Sequence, residues 1–403
     1  MDGLTLLSQR DNIEEAFKSL IKSGRPDIRD DENKNLLPQL YVDLFENDYF
    51  LKQALDGNHA IFKGRRGTGK STIFLQAEEE LKEKKGVISV YINLQSCYEE
   101  IRTSNSEEQE LMNKYNVYLK FFNQILEKIK NDCKKIFQDK DIEKLFEEIK
   151  NGEYIDENFR RTMQFTTNSE KNTQFNLNAN TDKKAEAGLS FSQKNATEEH
   201  TKQEMRIFSI NTVLNKMKKI LDKHSVTKVY LFLDDFSELT KDSQKLIVDS
   251  LIAPIISSYN DVFVIKLAAY PYRIYLGNID SSKIVSYSLD FYDVYEKTST
   301  NYKNVEASGI DYIKRTLKKR ISVYTNGQLD ADDIFDTAKE KIDIYYKTLF
   351  YASAGIPRSL GYILKYSFLN SINKGNGITV ADLNNASKTY FVNNILADFC
   401  NDS

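Results

Sequence analysis

The sequence has no tryptophan and only five prolines, three cysteines and three histidines among 403 residues. Five prolines are too few for proline-rich linkers between domains. The cysteines lie far apart and form no CxxC pair, which argues against a zinc knuckle and a disulfide framework. The histidines have no spacing typical of metal ligands, so we interpret them as surface or core residues.

Long apolar runs and a strong charge of one sign are also missing. No run reaches the ~18 apolar residues of a membrane-spanning helix, and the N-terminal segment lacks the features of a secretory signal. We therefore expect a cytoplasmic protein with no stable membrane span. The formal net charge of −3, from 56 basic and 59 acidic residues, excludes a uniformly basic nucleic-acid-binding surface but leaves room for a local basic patch.

The residues that are plentiful indicate a folded chain. Apolar residues make up 40% and charged residues 29%, so a buried core is feasible, and 24 tyrosines and 23 phenylalanines can supply aromatic packing. At about 100–200 residues per domain, the length predicts two or three domains, or one large domain with insertions.

The strongest pattern is GRRGTGKS at residues 64–71, which matches G-x-x-x-x-G-K-[ST] at every fixed position. It follows a predicted strand at 59–63 and opens a predicted helix from about 70 to 84, a context that disfavours a simple surface turn. Glycines let successive N–H groups turn inward as an anion cradle, to which the helix N-terminus adds its dipole. Lys70 is expected to reach the β- and γ-phosphates of a nucleotide, and the Ser71 hydroxyl to bind Mg²⁺. The predicted nucleotide-binding residues are Gly64, Arg65, Arg66, Gly67, Thr68, Gly69, Lys70, Ser71 and Thr72.

A second pattern is LFLDD at residues 231–235, an apolar strand that delivers two carboxylates at its C-terminal edge. In open α/β sheets ligands bind at that edge. Asp234 is the candidate Mg²⁺ ligand, directly or through water, and Asp235 the candidate to polarise an attacking water. Glu238, on the following turn, is a substitute for Asp235. The alternative is that Asp234 only caps the loop after the strand.

A third pattern, AGIPR at residues 354–358, marks the start of a helix, because proline suits the first helical turn. Arg358 then lies near the positive end of the helix dipole, which is mildly unfavourable for a cation. That conflict suggests an anionic partner such as a γ-phosphate. The alternative is an ordinary surface arginine.

The order of predicted elements favours an α/β fold with a parallel sheet. Further strands are predicted at 87–94, 229–235, 262–269 and 283–291, with helices that include 41–55 and 331–351. We divide the chain into an N-terminal helical segment (1–35), an α/β core (36–295) and a helical C-terminal part (296–403). The core carries a large insertion at 97–205.

Together, GRRGTGKST (64–72), LFLDD and AGIPRSL (354–360) resemble, in this order, an AAA+ ATPase of the additional-strand class. The chain is most similar to the origin-recognition (replication-initiator) branch and its bacterial relatives, over about 36–94 and 225–372. The resemblance implies a P-loop NTPase parallel sheet sandwiched by helices, a C-terminal α-helical lid, and Mg²⁺ and ATP as cofactors. It also implies homo-oligomers with sites at subunit interfaces.

The resemblance also implies roles for single residues. Arg358 becomes the lid arginine ("sensor 2") that contacts the γ-phosphate, and Arg273 the arginine finger that acts on a neighbouring subunit. The strand 262–269 departs from the family because it ends in alanines where a polar residue should position water; Tyr270 or Lys266 is the candidate replacement. The chain after the lid is too short for a winged helix, so origin binding by such a domain is not expected.

The insertion contains a predicted amphipathic β-hairpin at 173–193. Folded about residue 183, Phe175, Leu177 and Ala179 face Phe191, Leu189 and Ala187. An isolated hairpin is marginal in water, so this apolar face needs a partner. The alternatives are a partner protein or neighbouring subunit, disorder until binding, a nucleic-acid contact through Lys183 and Lys184, and membrane insertion.

The predicted helix at 309–322 is the most basic segment. Its cations are Lys314, Arg315, Lys318, Lys319 and Arg320. They form either a solvated face or a contact to a phosphate backbone.

The leading functional prediction is a Mg²⁺-ATP-dependent, AAA+-like ATPase that acts as an oligomeric switch or motor on a partner protein. Its reaction is hydrolysis of ATP to ADP and phosphate, slow or partner-stimulated, because Asp235 is shorter than the glutamate often found there. The predicted catalytic residues are Lys70, Asp235, Glu238, Arg358 and Arg273. The resemblance suggests a bacterial antiviral defence or mobile-element system. The alternatives are a DNA-binding remodelling ATPase and an ATP-binding scaffold with little hydrolysis.

Overall fold

The structure of the protein, a computed structural model, describes residues 3–22, 28–29, 33–98, 107–132, 140–151, 162–164, 202–204, 210–277, 279–298, 302–397 and 400. The predicted hairpin at 173–193 lies outside these residues. None of the helices described in these ranges is long and apolar enough to cross a membrane.

A five-stranded parallel sheet forms the centre of the fold, in the order β2-β3-β4-β1-β5. Its strands are β1 (Ala60–Lys63), β2 (Val87–Asn93), β3 (Lys228–Asp234), β4 (Phe263–Ala269) and β5 (Val285–Ser288). Strands β3 and β4 are almost continuously buried, as expected for central strands of a parallel sheet with both faces covered. Two short strands, Thr162–Gln164 and Lys202–Glu204, pair separately and antiparallel.

Helices surround the sheet. In chain order they are α1 (Gly3–Ser8), α2 (Arg10–Ile21), α3 (Leu37–Leu40), α4 (Tyr49–Leu55), α5 (Lys70–Leu81), α6 (Leu94–Tyr98), α7 (Glu107–Asp132), α8 (Lys140–Asn151), α9 (Ile210–Lys223), α10 (Lys241–Ile247), α11 (Ala253–Ser258), α12 (Phe291–Thr298), α13 (Tyr302–Tyr324), α14 (Ile342–Ser353), α15 (Pro357–Asn370) and α16 (Val380–Tyr390). A π-helical segment, Val248–Ile252, joins α10 to α11, and a second one, Phe391–Leu396, follows α16.

Alternate residues along the strands belong to two separate cores, because successive side chains of a strand point to opposite faces. Phe62 and Phe232 pack on one face with α2, α4, α5 and the C-terminal helices. Ile61 and Leu233 pack on the other face with α7 to α11. The α/β prediction with helices on both sides of a parallel sheet is therefore confirmed. The helices α7 and α8 account for the helical part of the predicted insertion.

The N-terminal helix α2 packs against α15 of the C-terminal part. A Cβ atom added to Gly361 would lie 2.6 Å from Leu20 Cβ, so the two helices approach closely at this glycine. The rings of Phe17 and Phe368 meet edge to face with centroids 6.4 Å apart. The first core is thus continuous from the sheet through α2 to the C-terminal helices.

Two predicted helices are wrong in part. The helix predicted at 41–55 begins only at Tyr49, because Asp43 holds the preceding segment in another conformation. The buried Asp43 carboxylate accepts N–H groups from Phe45 and Leu51, both at 3.0 Å. The helix predicted at 331–351 is a 3₁₀ turn at Ala331–Ile334 and then α14.

Candidate functional site

The loop at 64–71 connects β1 to α5 at the carboxyl edge of the sheet. Gly67 and Gly69 have φ angles of 86° and 95°, in the left-handed region that favours glycine. The first N–H groups of α5 have no intrahelical partners, and Gly69, the N-cap, provides no side-chain hydrogen bond to them. Such an arrangement can hold an anion.

Lys70 lies in this loop with 8% of its surface exposed. Its Nζ donates to the carbonyl oxygens of Gly64 at 2.6 Å and Arg65 at 3.1 Å, and lies 4.5 Å from the centroid of the Tyr270 ring. Burial lowers the pKa of Lys70 to about 8, although nearby carboxylates oppose the shift. The side chain therefore stabilises the loop and places a cation at its centre.

Asp234, at the end of β3, is 1% exposed and belongs to the same cluster. The hydroxyl of Tyr91 donates to its Oδ2 at 2.5 Å, and the Asp235 N–H donates to its Oδ1 at 2.9 Å. Burial, followed by the charge of Asp234, raises the pKa of Tyr91. Asp234, one of the two residues predicted to bind Mg²⁺, is thus held by a phenol that sequence reasoning missed.

The donors around Tyr91 fit a magnesium ion of the kind that binds with a nucleotide. Ser71 and Asp234 offer a hydroxyl and a carboxylate, and Mg²⁺ commonly takes one or two carboxylates together with water and phosphate oxygens. The described residues contain no group of three or more His, Cys, Asp or Glu side chains that could hold a metal without such help.

Asp235 follows Asp234 with a left-handed φ of 54°, a conformation that aspartate tolerates better than most residues. Its Oδ2 accepts from Asn93 Nδ2 at 2.6 Å. The Oδ1 of Asn93 accepts the Ser96 N–H at 2.9 Å, which fixes the orientation of the amide. Burial and then the charge of Asp234 raise the pKa of Asp235. Asp235 is therefore more basic than an ordinary aspartate, and Asn93 of β2 holds its side chain.

Tyr270 is the residue that the end of β4 brings to the site. Its N–H donates to Ser237 Oγ at 2.7 Å, and its hydroxyl donates to Glu238 Oε1 at 2.6 Å. Burial and then Glu238 raise the pKa of Tyr270. Glu238 is exposed and is oriented by this tyrosine, at the rim of the cavity beside Asp235.

Lys266, the other predicted replacement, does not reach the site. It is fully buried and pairs in register with Ala60, at the amino end of β1. Its Nζ donates to the Gln53 carbonyl at 2.6 Å and to Asp56 Oδ1 at 2.7 Å. Lys266 is thus a structural cation, and its proposed role in positioning water is wrong.

Arg358, in the first turn of α15, lies against the loop. It lines a cavity of about 320 Å³ together with Arg66, Lys70 and Asp235, and Thr68 and Thr72 line the same cavity. Its Nε is buried with no hydrogen-bond partner among the described residues. Burial and then the like charge of Arg66 lower the pKa of Arg358. Two arginines therefore converge on a space in which an anion would be favourable.

The other arginines have different surroundings. Arg65 is held outside the cavity, because its Nε donates to the buried Asp290 at 2.5 Å. Arg273 is exposed on the loop after β4, where it lines a second, more open cleft with Arg66 and Tyr270. Its predicted action on a neighbouring subunit concerns a second copy of the chain and stays a prediction.

The basic side chains of α13 are mostly used within the fold. Arg315 donates to the carbonyl oxygens of Asp43 at 3.1 Å and Leu44 at 3.2 Å. Lys319 and Arg320 donate to the carbonyls of Tyr41 and Leu40, and Lys318 pairs with Asp330 at 3.4 Å. Arg315, Lys319 and Arg320 thus attach the helix to the segment at 40–44, whereas Lys314 and Lys318 are exposed, and for these two the solvated face and the phosphate contact stay predictions.

A scan against models of known protein families finds no match to the chain, and a search of curated proteins finds no match either.

Proposed function

We propose that the protein binds Mg²⁺-ATP at the loop 64–71 and hydrolyses it, as an AAA+-like ATPase of the additional-strand class. The observation that carries the proposal is the convergence of Lys70, Ser71, Asp235 and Arg358 around one cavity, from segments far apart in the sequence, with the buried Asp234 directly before Asp235. The sheet order supports it, because β4 lies between the strand before the loop and the strand with the two acids, the feature for which the class is named.

Each element has a separate role in the proposal. The first N–H groups of α5 and the Lys70 ammonium bind the phosphates. Lys70 then gives up its hydrogen bonds to the loop carbonyls and bonds to phosphate oxygens instead. Ser71 and Asp234 hold Mg²⁺, which supplies charge neutralisation at the phosphate oxygens. Asp235, held by Asn93, orients the attacking water and accepts its proton. Glu238 is the substitute for that role.

The contact between α15 and the phosphate loop explains how hydrolysis can act as a switch. Arg358 belongs to the C-terminal helices, and its unpartnered Nε is available to a γ-phosphate. A γ-phosphate that bridges Arg358 and Lys70 ties α15 to the core, and its loss on hydrolysis releases that tie. We infer that this change regulates a partner protein or a homo-oligomer, with Arg273 acting across subunits, in an antiviral defence or mobile-element system.

Binding of a fluorescent ATP analogue, with and without Mg²⁺, tests the proposal. Lys70→Ala removes charge-assisted hydrogen bonds worth about 1.5–3 kcal/mol, so its affinity for the analogue should fall roughly 10–100-fold. Lys82→Ala is the matched control, because Lys82 is an exposed lysine at the other end of the same helix that pairs with Glu79. Equal affinity of wild type and Lys70→Ala contradicts the proposal.

An ATP-binding scaffold with little hydrolysis is the second candidate. It is favoured by Tyr270, whose hydroxyl is engaged by Glu238 where the family has a polar residue to position water. ATP turnover separates the two, because the scaffold predicts stoichiometric binding without release of phosphate, with or without a partner.

A DNA-remodelling ATPase has less support, since Arg315, Lys319 and Arg320 are engaged within the fold. Stimulation of ATP turnover by DNA would favour it.

A further inference from the structure

Strand β2 contributes two polar side chains to the acids of β3. Tyr91 and Asn93 are two residues apart and therefore on the same face of the strand. The Tyr91 hydroxyl reaches Asp234, and the Asn93 amide reaches Asp235. Strands β2 and β3 are adjacent and parallel, with Asn93 paired to Asp234, so this arrangement is fixed by the sheet itself.

The position of the Tyr91 hydroxyl defines the direction of its hydrogen bonds. A phenol has one proton, and Tyr91 uses it as the donor to the Asp234 carboxylate. Tyr91 is therefore the donor and Asp234 the acceptor of this contact.

Asp234 depends on this donor. The carboxylate is almost completely buried, and buried carboxylate oxygens require hydrogen-bond donors. Oδ1 has the Asp235 N–H, which the main chain provides in any variant, and Oδ2 has the Tyr91 hydroxyl. Tyr91 therefore decides which way the Oδ2 side of the carboxylate faces.

We propose that Tyr91 is a positioning residue of the metal site, which holds the Asp234 carboxylate in the orientation that Mg²⁺ requires before Mg²⁺-nucleotide arrives. The inference rests on the proposed binding of Mg²⁺-ATP at this loop. Hydrogen bonds to metal-ligating carboxylates typically change metal affinity by 10–100-fold when they are removed.

The test is Tyr91→Phe, which keeps the ring and removes the hydroxyl. Affinity for a fluorescent ATP analogue is measured in EDTA and then over a series of Mg²⁺ concentrations. The Mg²⁺ concentration that gives half of the full increase in analogue affinity should rise about 10–100-fold in the variant. Affinity in EDTA should stay within about twofold of the wild-type value, because Tyr91 is not among the residues that line the cavity beside Lys70 and Arg358.

Tyr230→Phe is the matched control. It removes a phenol hydroxyl from the neighbouring strand β3, where the group donates to the Leu55 carbonyl at 3.0 Å. Its Mg²⁺ dependence should equal that of the wild type. Ser71→Ala and the double variant Ser71→Ala/Tyr91→Phe complete a cycle, and the double variant should be little worse than Ser71→Ala because both residues act on one site.

The outcomes separate the inference from the proposed function. An unchanged Mg²⁺ dependence in Tyr91→Phe overturns the positioning role while the proposed function stands. Equal loss in Tyr91→Phe and Tyr230→Phe also overturns it, because the effect is then a general loss of a hydrogen bond. If the wild type does not bind the analogue with or without Mg²⁺, the proposed function fails and the inference with it.

Discussion

Arg358 lies directly on Gly67: a Cβ atom added to the glycine would be 2.6 Å from the Cβ of the arginine. The contact joins the first turn of α15 to the loop that follows β1. It requires a residue without a side chain at position 67, independently of the backbone conformation there.

Gly67→Ala should therefore be more harmful than Gly69→Ala. Both positions have left-handed φ angles, which cost an alanine about 1–2 kcal/mol, but an added Cβ at Gly69 meets no atom within 4 Å. We expect Gly69→Ala to lower the free energy of unfolding by about 1 kcal/mol, and Gly67→Ala by more, with a greater loss of nucleotide binding. Urea unfolding and analogue binding measure both effects. Equal losses would show that the contact with Arg358 is unimportant.

Arg358→Ala should weaken binding of ATP more than binding of ADP. The Nε of Arg358 is buried without a partner, and a γ-phosphate can supply one. A hydrogen bond to a charged group contributes about 1.5–3 kcal/mol, so the ATP-to-ADP affinity ratio should fall at least roughly tenfold. Isothermal titration of wild type, Arg358→Ala and Lys365→Ala, a lysine on the same helix, checks this. Equal loss for both nucleotides contradicts contact with the γ-phosphate.

Arg315→Ala should reduce stability and leave DNA affinity unchanged. Its guanidinium joins α13 to the carbonyls of Asp43 and Leu44 and also pairs with Asp311 at 2.7 Å. We expect a loss of about 1–3 kcal/mol in the free energy of unfolding, whereas Lys314→Ala, at the exposed neighbouring position, should stay within about 0.5 kcal/mol. Salt-dependent DNA binding that is lost in Arg315→Ala without destabilisation would restore the phosphate-backbone interpretation.

His59 should make stability depend on pH. Its Nδ1 accepts the Ile265 N–H at 3.0 Å, which requires the neutral ring, and burial followed by Lys266 lowers its pKa from 6.5 to about 4. Between these two values the unfolded chain binds a proton that the folded chain does not, so stability falls as the pH falls from 6.5 to about 4. The contribution is at most about 3 kcal/mol.

Urea unfolding at pH 7 and pH 4.5 checks the prediction in wild type and in His59→Gln. Other groups titrate equally in both proteins, so the difference between the two pH dependences isolates the histidine. The wild type should lose more stability on acidification than the variant. Parallel curves would show that His59 is not held neutral by the fold.

The sequence by itself determined the local features of the site. Three features depend only on residues that are neighbours in the sequence. They are the spacing of Gly64, Gly69 and Lys70, the two acids at the end of an apolar strand, and Pro357 at the start of a helix. The structure has a loop between β1 and α5 at the first place, the end of β3 at the second, and the start of α15 at the third, as expected. Their conformations could be predicted because turns, caps and strand ends follow from short-range backbone preferences.

Only the tertiary structure decided which side chains meet. Tyr91 and Asp234 are 143 residues apart, and Asn93 and Asp235 are 142 apart, so their contacts follow from the pairing of β2 with β3. Lys266 lies on the same strand that leads to Tyr270, yet its position along β4 places it with Asp56 instead of the cavity. Strand register and helix packing set these partners, because they depend on burial across the whole fold and not on the order of residues along the chain.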